Sequence, residues 1–221
     1  MRWKDYIDYE ETRRAIDLLQ APGKVFEVRV IGTARRKEIL SGYFQDAETL
    51  FQKFDTIDLR KRNIYITLGE VREECFSRSQ SNCFEMHPAV TSNDNDIIAY
   101  RWLFVDLDPV RPTGISSSNE QLQCAEELRD KVYEYLQGLG FPEPVRAMSG
   151  NGYHLLYRID IPNDAEGGKT AWFLQDAGNQ KSLMRWGFQC TRLDLLYSVF
   201  SLYFPKVRRS IRLSFSGSTR V

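Results

Sequence analysis

Between Tyr9 and Leu19 the apolar residues Ala15, Ile16, Leu18 and Leu19 gather on one side of a helical wheel, and Pro22-Gly23 stops the segment, which predicts an amphipathic helix. From Val25 to Ile31 the pattern changes to period two, the signature of a strand. Tyr43-Phe44 ends a partner strand after a basic turn at Ala34 to Lys37. Asp46 is placed to cap a helix over 47–54, and Asn63 to Leu68 reads as a further strand. Residues 72–96 are polar and irregular, which predicts an exposed loop of the kind that is functional or mobile. Trp102 to Val105 is the next strand, followed by a long helix over 118–139 with Ser118 as its N-cap and Gly138-Leu139-Gly140 as its stop. Pro144 to Met148 and Tyr153 to Ile159 complete the set as two strands joined by a glycine turn.

Two of these segments carry chemistry. The apolar run from Trp102 ends in Asp106-Leu107-Asp108, and on a strand both carboxylates project from one side. Such a pair repels if buried without a counter-charge, and a divalent cation removes that penalty. The second segment, Ser149-Gly150-Asn151-Gly152-Tyr153-His154, is a small-residue turn that delivers a histidine into an apolar run. Its backbone N–H groups are of the kind that hold phosphate, and a metal pair beside such a cradle suits nucleotidyl transfer. Each half also has a plain structural reading. Asp-X-Asp closes many strands as a loop entry or helix cap, and Asn-Gly is a strong hairpin signal. A lone histidine is more often structural than a ligand. Their occurrence together, in this order and with a helix between them, favours the chemical reading.

In these two motifs the chain resembles the archaeo-eukaryotic primase superfamily, in particular the primase–polymerase domain of phage and plasmid primase–helicase proteins. That family's first motif is an apolar strand ending in Asp-X-Asp, matched by Asp106 and Asp108; its second, Ser-Gly-X-Gly-X-His, is matched by Ser149, Gly150, Asn151, Gly152, Tyr153 and His154. The flank Val110-Arg111-Pro112-Thr113-Gly114 also fits the phage branch. The likeness covers roughly residues 10–165 and fades from Gly167, and the third motif, an apolar residue plus an aspartate, is not recognisable. The resemblance implies an α/β (α+β) fold with a primase-like core, an RNA-recognition-motif-like sheet and a smaller N-terminal α/β lobe. It divides the chain into an N-terminal lobe at 1–100, a catalytic lobe at 101–180 and a divergent basic segment, or truncation, at 181–221.

The implied activity is that of a DNA primase or primase–polymerase in DNA replication, making or extending primers by a two-metal mechanism. Asp106 and Asp108 would hold Mg²⁺ or Mn²⁺; Ser149, Gly150, Asn151, Gly152 and His154 would receive the triphosphate; and Arg111 and Arg158 are cations that would assist. Expected partners are a DNA template, nucleoside triphosphates and a helicase domain or protein. A second reading from another class is a non-catalytic nucleic-acid-binding, replication-initiation module on the same fold, motivated by the missing third carboxylate. A rolling-circle nuclease is disfavoured, because His87 and His154 are the only histidines and form no His-X-His pair.

Composition changes the picture in two places. With 42% apolar residues and no run near 18 apolar residues long, the chain is expected to be globular, without membrane span or signal peptide, and cytoplasmic in a bacterial or phage-infected cell. Cys75, Cys83, Cys124 and Cys190 show no CxxC pairing, so reduced thiols are expected rather than a zinc ribbon. Net charge is zero, yet residues 181–221 hold eight basic residues against Asp194 alone, leaving 22 basic and 29 acidic residues in 1–180. A basic end of that kind suits nucleic acid as well as plain solvent exposure. Leu193, Leu195 and Leu196 flank Asp194 in a pattern read as helical, so the expectation is a loosely anchored helix plus basic tail, with Asp194 not a metal ligand.

Overall fold

The computed structural model describes residues 7–32, 38–59, 62–112, 114–164 and 167, and the backbone of 191–196 and 199–202. Among them are three helices and ten strands in two sheets, a mixed α/β fold. None of the helices is long and apolar enough to cross a membrane. The chain forms two compact units: the first runs to Arg101 and takes in residues 161–164 and the C-terminal strand, and the second begins at Trp102.

The first unit is built on the antiparallel strands β1 (Phe26–Gly32), β2 (Ile39–Phe44), β3 (Arg62–Thr67), β5 (Glu85–Met86) and β10 (Val199–Leu202), ordered β10-β3-β1-β2-β5. Phe26, Val28 and Val30 of β1 lie opposite Phe44, Gly42 and Leu40 of β2, so they share one face with Ile64 and Ile66 of β3. Helices α1 (Tyr9–Leu19) and α2 (Ala47–Phe54) are each capped by an aspartate, Asp8 and Asp46, whose carboxylate accepts the amide three residues on. Tyr9 meets Phe51 edge-on at 5.1 Å, and Phe54, Phe84 and Phe44 continue the aromatic layer. The predicted helices and strands of this unit stand within a residue or two of their expected places.

The opposite face of β1 is polar and buried, and it anchors the 72–96 segment, which is largely exposed as expected but is buried at Cys75, Ser92 and Asp96. Glu27, fully buried, accepts both Arg29 Nε and Nη2 at 2.8 Å, the Ser41 hydroxyl at 2.5 Å and the Ser92 amide at 3.1 Å. Arg29 also donates to the Ser92 carbonyl, and Ser92 to the Tyr43 hydroxyl. Around this lattice pack Val25, Tyr43, Val71, Cys75 and Ile97. A segment polar in sequence is thus pinned across the sheet, because its polar groups meet partners 49 to 65 residues away.

Asp96 closes the same segment. Two hydrogen bonds from the Arg78 guanidinium, one of 2.8 Å, and one from the Asn93 amide lower its carboxyl from the usual 3.8 to about 2. The folded value lies below the unfolded one, so the stabilisation is complete above about pH 4 and fades as pH falls toward 2, amounting to about 2 kcal/mol. Asp96→Asn should therefore flatten the acid limb of stability between those limits in urea-denaturation midpoints. An unchanged acid slope would sink that assignment.

The second unit holds the end of β6 (Ile97–Pro109), β7 (Val145–Met148), most of β8 (Tyr153–Pro162), β9 (Thr191–Leu196) and α3 (Asn119–Gly138). Strands β6, β8 and β7 are neighbours in that order, with β9 antiparallel to β6 and β7 antiparallel to β8. β6 begins in the first unit beside β4 (Glu70–Val71), well before its predicted start at Trp102. Helix α3 starts with a reciprocal capping box between Ser118 and Gln121 and buries Leu122, Ala125, Leu128 and Val132. It covers one face of the sheet, where Arg129 lies over the Tyr153 ring and Arg146 over Tyr133.

The C-terminal expectation fails here. Residues 191–196 are a strand rather than part of a loosely anchored helix, and 199–202 form another. Arg192-Leu193-Asp194-Leu195 does alternate with period two; only Leu196 breaks the pattern, and it stands opposite the apolar Phe104. The remaining basic residues of the segment, Lys181, Arg185 and those from Lys206 onward, lie outside the described residues.

Candidate active site

Alternation along β6 sends Trp102, Phe104, Asp106 and Asp108 to one face and Leu103, Val105 and Leu107 to the other. On β8, Tyr153 faces α3, so His154 stands on the other side, the side of the aspartates. The adjacency of β6 and β8 brings His154 Nε2 to 3.1 Å from Asp106 Oδ1, and the imidazole meets the Phe104 ring edge-on at 4.9 Å. The short Asp106 contact is off-line for a hydrogen bond, so the buried Oδ1 has no hydrogen-bond partner among the described residues. A buried carboxylate oxygen left in that condition is costly and suits a cation.

Asp108 is more open, its side chain 41% exposed, and Arg111 Nη2 lies 3.5 Å from its Oδ2. The two carboxylates thus have different neighbours, Asp106 an imidazole and Asp108 a guanidinium. Across the sheet, β9 places Asp194 in register opposite Asp106 and Arg192 opposite Asp108. Directly opposed residues of an antiparallel pair share a face, so Asp194 occupies a position on the face of the first two aspartates. Sequence reasoning set Asp194 aside as a ligand; the register fixes its position opposite Asp106, while its side chain lies outside the described ones.

The glycine turn is the hairpin between β7 and β8. Ser149 N–H donates to the Gly152 carbonyl at 3.0 Å, and Gly150 holds φ +83° at the first central position, the requirement of a type II′ turn. The amides of Asn151 and Gly152 donate to the Ser149 hydroxyl oxygen at 3.3 and 3.1 Å. Those two N–H groups are therefore directed inward, and the cradle expected from them is not open as it stands. Among the described residues the hydroxyl proton of Ser149 has a long 3.4 Å contact, to the Gly152 carbonyl.

The turn is pressed against the first motif. A Cβ on Gly152 would sit 2.5 Å from the Leu107 carbonyl oxygen and closer still to Asp108 Oδ1, so only glycine lets the two segments meet. Asn151 is held from the other side: its carbonyl accepts the Ser117 hydroxyl at 2.6 Å and its Oδ1 the Ser117 amide at 3.2 Å. Asp106, Asp108, His154, Arg111, Ser149, Asn151 and Gly152 are thus gathered at one end of the sheet.

Arg158 is not. It stands four residues beyond His154 on the same face, about 13 Å along the strand, where it pairs with Asp160 at 3.2 Å and lies over the Trp102 ring. Arg146, another nearby cation, is taken up on the α3 side by Glu143 and Tyr133. Trp102 and Tyr157, the aromatic residues nearby on these strands, are buried core residues rather than rings open to a base, and burial pushes the Tyr157 phenol well above its ordinary value.

Among the described residues no three His, Cys, Asp or Glu side chains form a metal-binding group, and the side chain of Asp194 is not among them. Comparisons with family models, with curated proteins and with solved structures returned no match.

Proposed function

We propose that the chain is a primase–polymerase-type nucleotidyltransferase that makes or extends primers on a DNA template from nucleoside triphosphates. The observation that carries this reading is the meeting of the two motifs: His154 at 3.1 Å from Asp106, and Gly152 packed on Asp108 where no larger residue fits. Asp106 and Asp108 supply hard oxygen ligands suited to Mg²⁺ or Mn²⁺, and the buried Asp106 Oδ1 with no hydrogen-bond partner fits that use. Asp194, whose backbone stands opposite Asp106 in the β6–β9 register, is the candidate for the third carboxylate that such a site uses. A divalent ion held by these carboxylates would supply a lowered pKa for the attacking 3′-hydroxyl and charge compensation for the phosphates.

The remaining groups bind and orient. His154 Nε2, with its hydrogen, donates to a phosphate oxygen beside Asp106, and the Ser149 hydroxyl donates from the turn. Burial of Phe104 and Leu156 on the same face limits water beneath the site. Asp194→Asn is the direct test. It should reduce Mn²⁺-dependent incorporation into a primed template by about 10²-fold or more, as expected when one of a few charges stabilising the transition state is lost. Undiminished incorporation would remove Asp194 from the site. The non-catalytic nucleic-acid-binding reading keeps one observation in its favour, the inward-turned amides of Asn151 and Gly152. Template binding by the unaltered chain with no metal-dependent incorporation would establish that reading instead.

A further inference from the structure

Arg111 is held by a loop rather than by a helix or strand, yet every polar edge of its guanidinium is engaged. Nε donates to the Ser117 hydroxyl at 3.1 Å, Nη1 to the Ile115 carbonyl at 3.4 Å, and Nη2 faces Asp108 Oδ2 at 3.5 Å. Ser117 in turn donates to the carbonyl of Asn151 in the glycine turn. The side chain is only 18% exposed, so this is an ordered arm and not a surface charge swinging in solvent. The chain Asp108–Arg111–Ser117–Asn151 therefore ties the carboxylate motif to the turn motif from outside the sheet.

Two of the three guanidinium edges are fixed to the loop itself, and the third is spent on a carboxylate that the proposed function assigns to a divalent cation. A guanidinium and a divalent cation cannot both neutralise Asp108 without repelling each other. We infer that Arg111 is the resident counter-cation of this site and its gate: it occupies Asp108 until metal arrives with nucleotide, then passes its Nη2 edge to a phosphate oxygen. The planar fork suits the exchange, because Nε and Nη1 keep their loop partners while Nη2 changes from a carboxylate to a phosphate acceptor. Metal alone is then bound weakly, and the metal–triphosphate complex is preferred. This rests on the proposed function, since it assumes that Asp106 and Asp108 take the ion.

The test uses the full chain, Mn²⁺ alone, and Mn²⁺ with a non-hydrolysable nucleoside triphosphate, read by calorimetry or by the EPR signal of free Mn²⁺. Arg111→Gln should tighten Mn²⁺ alone by roughly three- to tenfold at low salt, the difference shrinking at high ionic strength. The same variant should weaken binding of the metal–triphosphate complex several-fold. Arg111→Lys keeps the charge and should leave the affinity for Mn²⁺ alone near that of the unaltered chain. Opposite signs for the two ligands are the signature, because a merely structural arginine would weaken both. If Arg111→Gln leaves Mn²⁺ affinity unchanged or lowers it while Asp106→Asn still abolishes it, the inference about Arg111 falls and the proposed function stands. If the unaltered chain shows no Mn²⁺ binding dependent on Asp106 and Asp108, both fall together.

Discussion

Replacing Asp106 and Asp108 together by alanine is expected to abolish metal-dependent nucleotide incorporation while leaving the fold intact. The loss should reach at least about 10³-fold, because the phosphates and the attacking hydroxyl lose their charge compensation in the transition state at once. Neither side chain belongs to the apolar core: among the described residues Asp106 lies against the His154 imidazole, and the half-exposed Asp108 lies against the Arg111 guanidinium. Removing two like charges from one strand face costs little, and could raise the stability of the metal-free protein slightly. Primer-extension assays with Mn²⁺, run beside circular-dichroism melting, check both parts. A double variant that still extends primers takes these residues out of the chemistry. One that unfolds assigns them to structure instead.

Glu27→Ala is expected to cost about 3–5 kcal/mol of stability, since it leaves a partly buried guanidinium unpaired. The carboxylate is the single acceptor shared by Arg29, the Ser41 hydroxyl and the Ser92 amide, all in a buried layer. Truncation also strands the hydroxyl and the amide, so the loss goes beyond one ion pair. Glu27→Gln, which can still accept from Ser41 or Ser92 but carries no charge, should cost less. Denaturation midpoints give the totals, and hydrogen exchange at the Ser92 amide gives the local effect, because 72–96 is tied to the sheet through this residue. A cost under about 1 kcal/mol for the alanine variant would mean that the network does not anchor the segment.

The elements easiest to read were those whose pattern is set by a single buried face. Helix α1, with Ala15, Ile16 and Leu19 buried and an aspartate at its cap, stands where the periodicity put it. Helix α2 and strands β3 and β7 follow for the same reason. The spacing of Asp106 and Asp108 required a shared face on any strand, and His154 at the outlet of a glycine turn was visible as a delivered side chain. The exposed character of 72–96 was legible in its polar composition, but its anchoring was not: Ser92 is held by Glu27 and Arg29, dozens of residues earlier, and no local pattern announces that a polar residue has a distant partner.

Asp194 shows the boundary most clearly. Its own sequence holds an alternating run, but Leu196 adds a second apolar neighbour on the wrong parity, and locally that reads as a turn of helix. The strand results because Leu196 falls opposite Phe104, at the end of the sheet where both faces are apolar, while Asp194 falls opposite Asp106, where one face turns polar. The sequence by itself therefore determined which side chains share a strand and which turn only glycine can make, since backbone alternation and φ > 0 are local properties. Which strands lie side by side was decided by tertiary packing alone. Hydrogen-bonded register between segments some ninety residues apart brings Asp194 opposite Asp106, and no spacing along the chain encodes that.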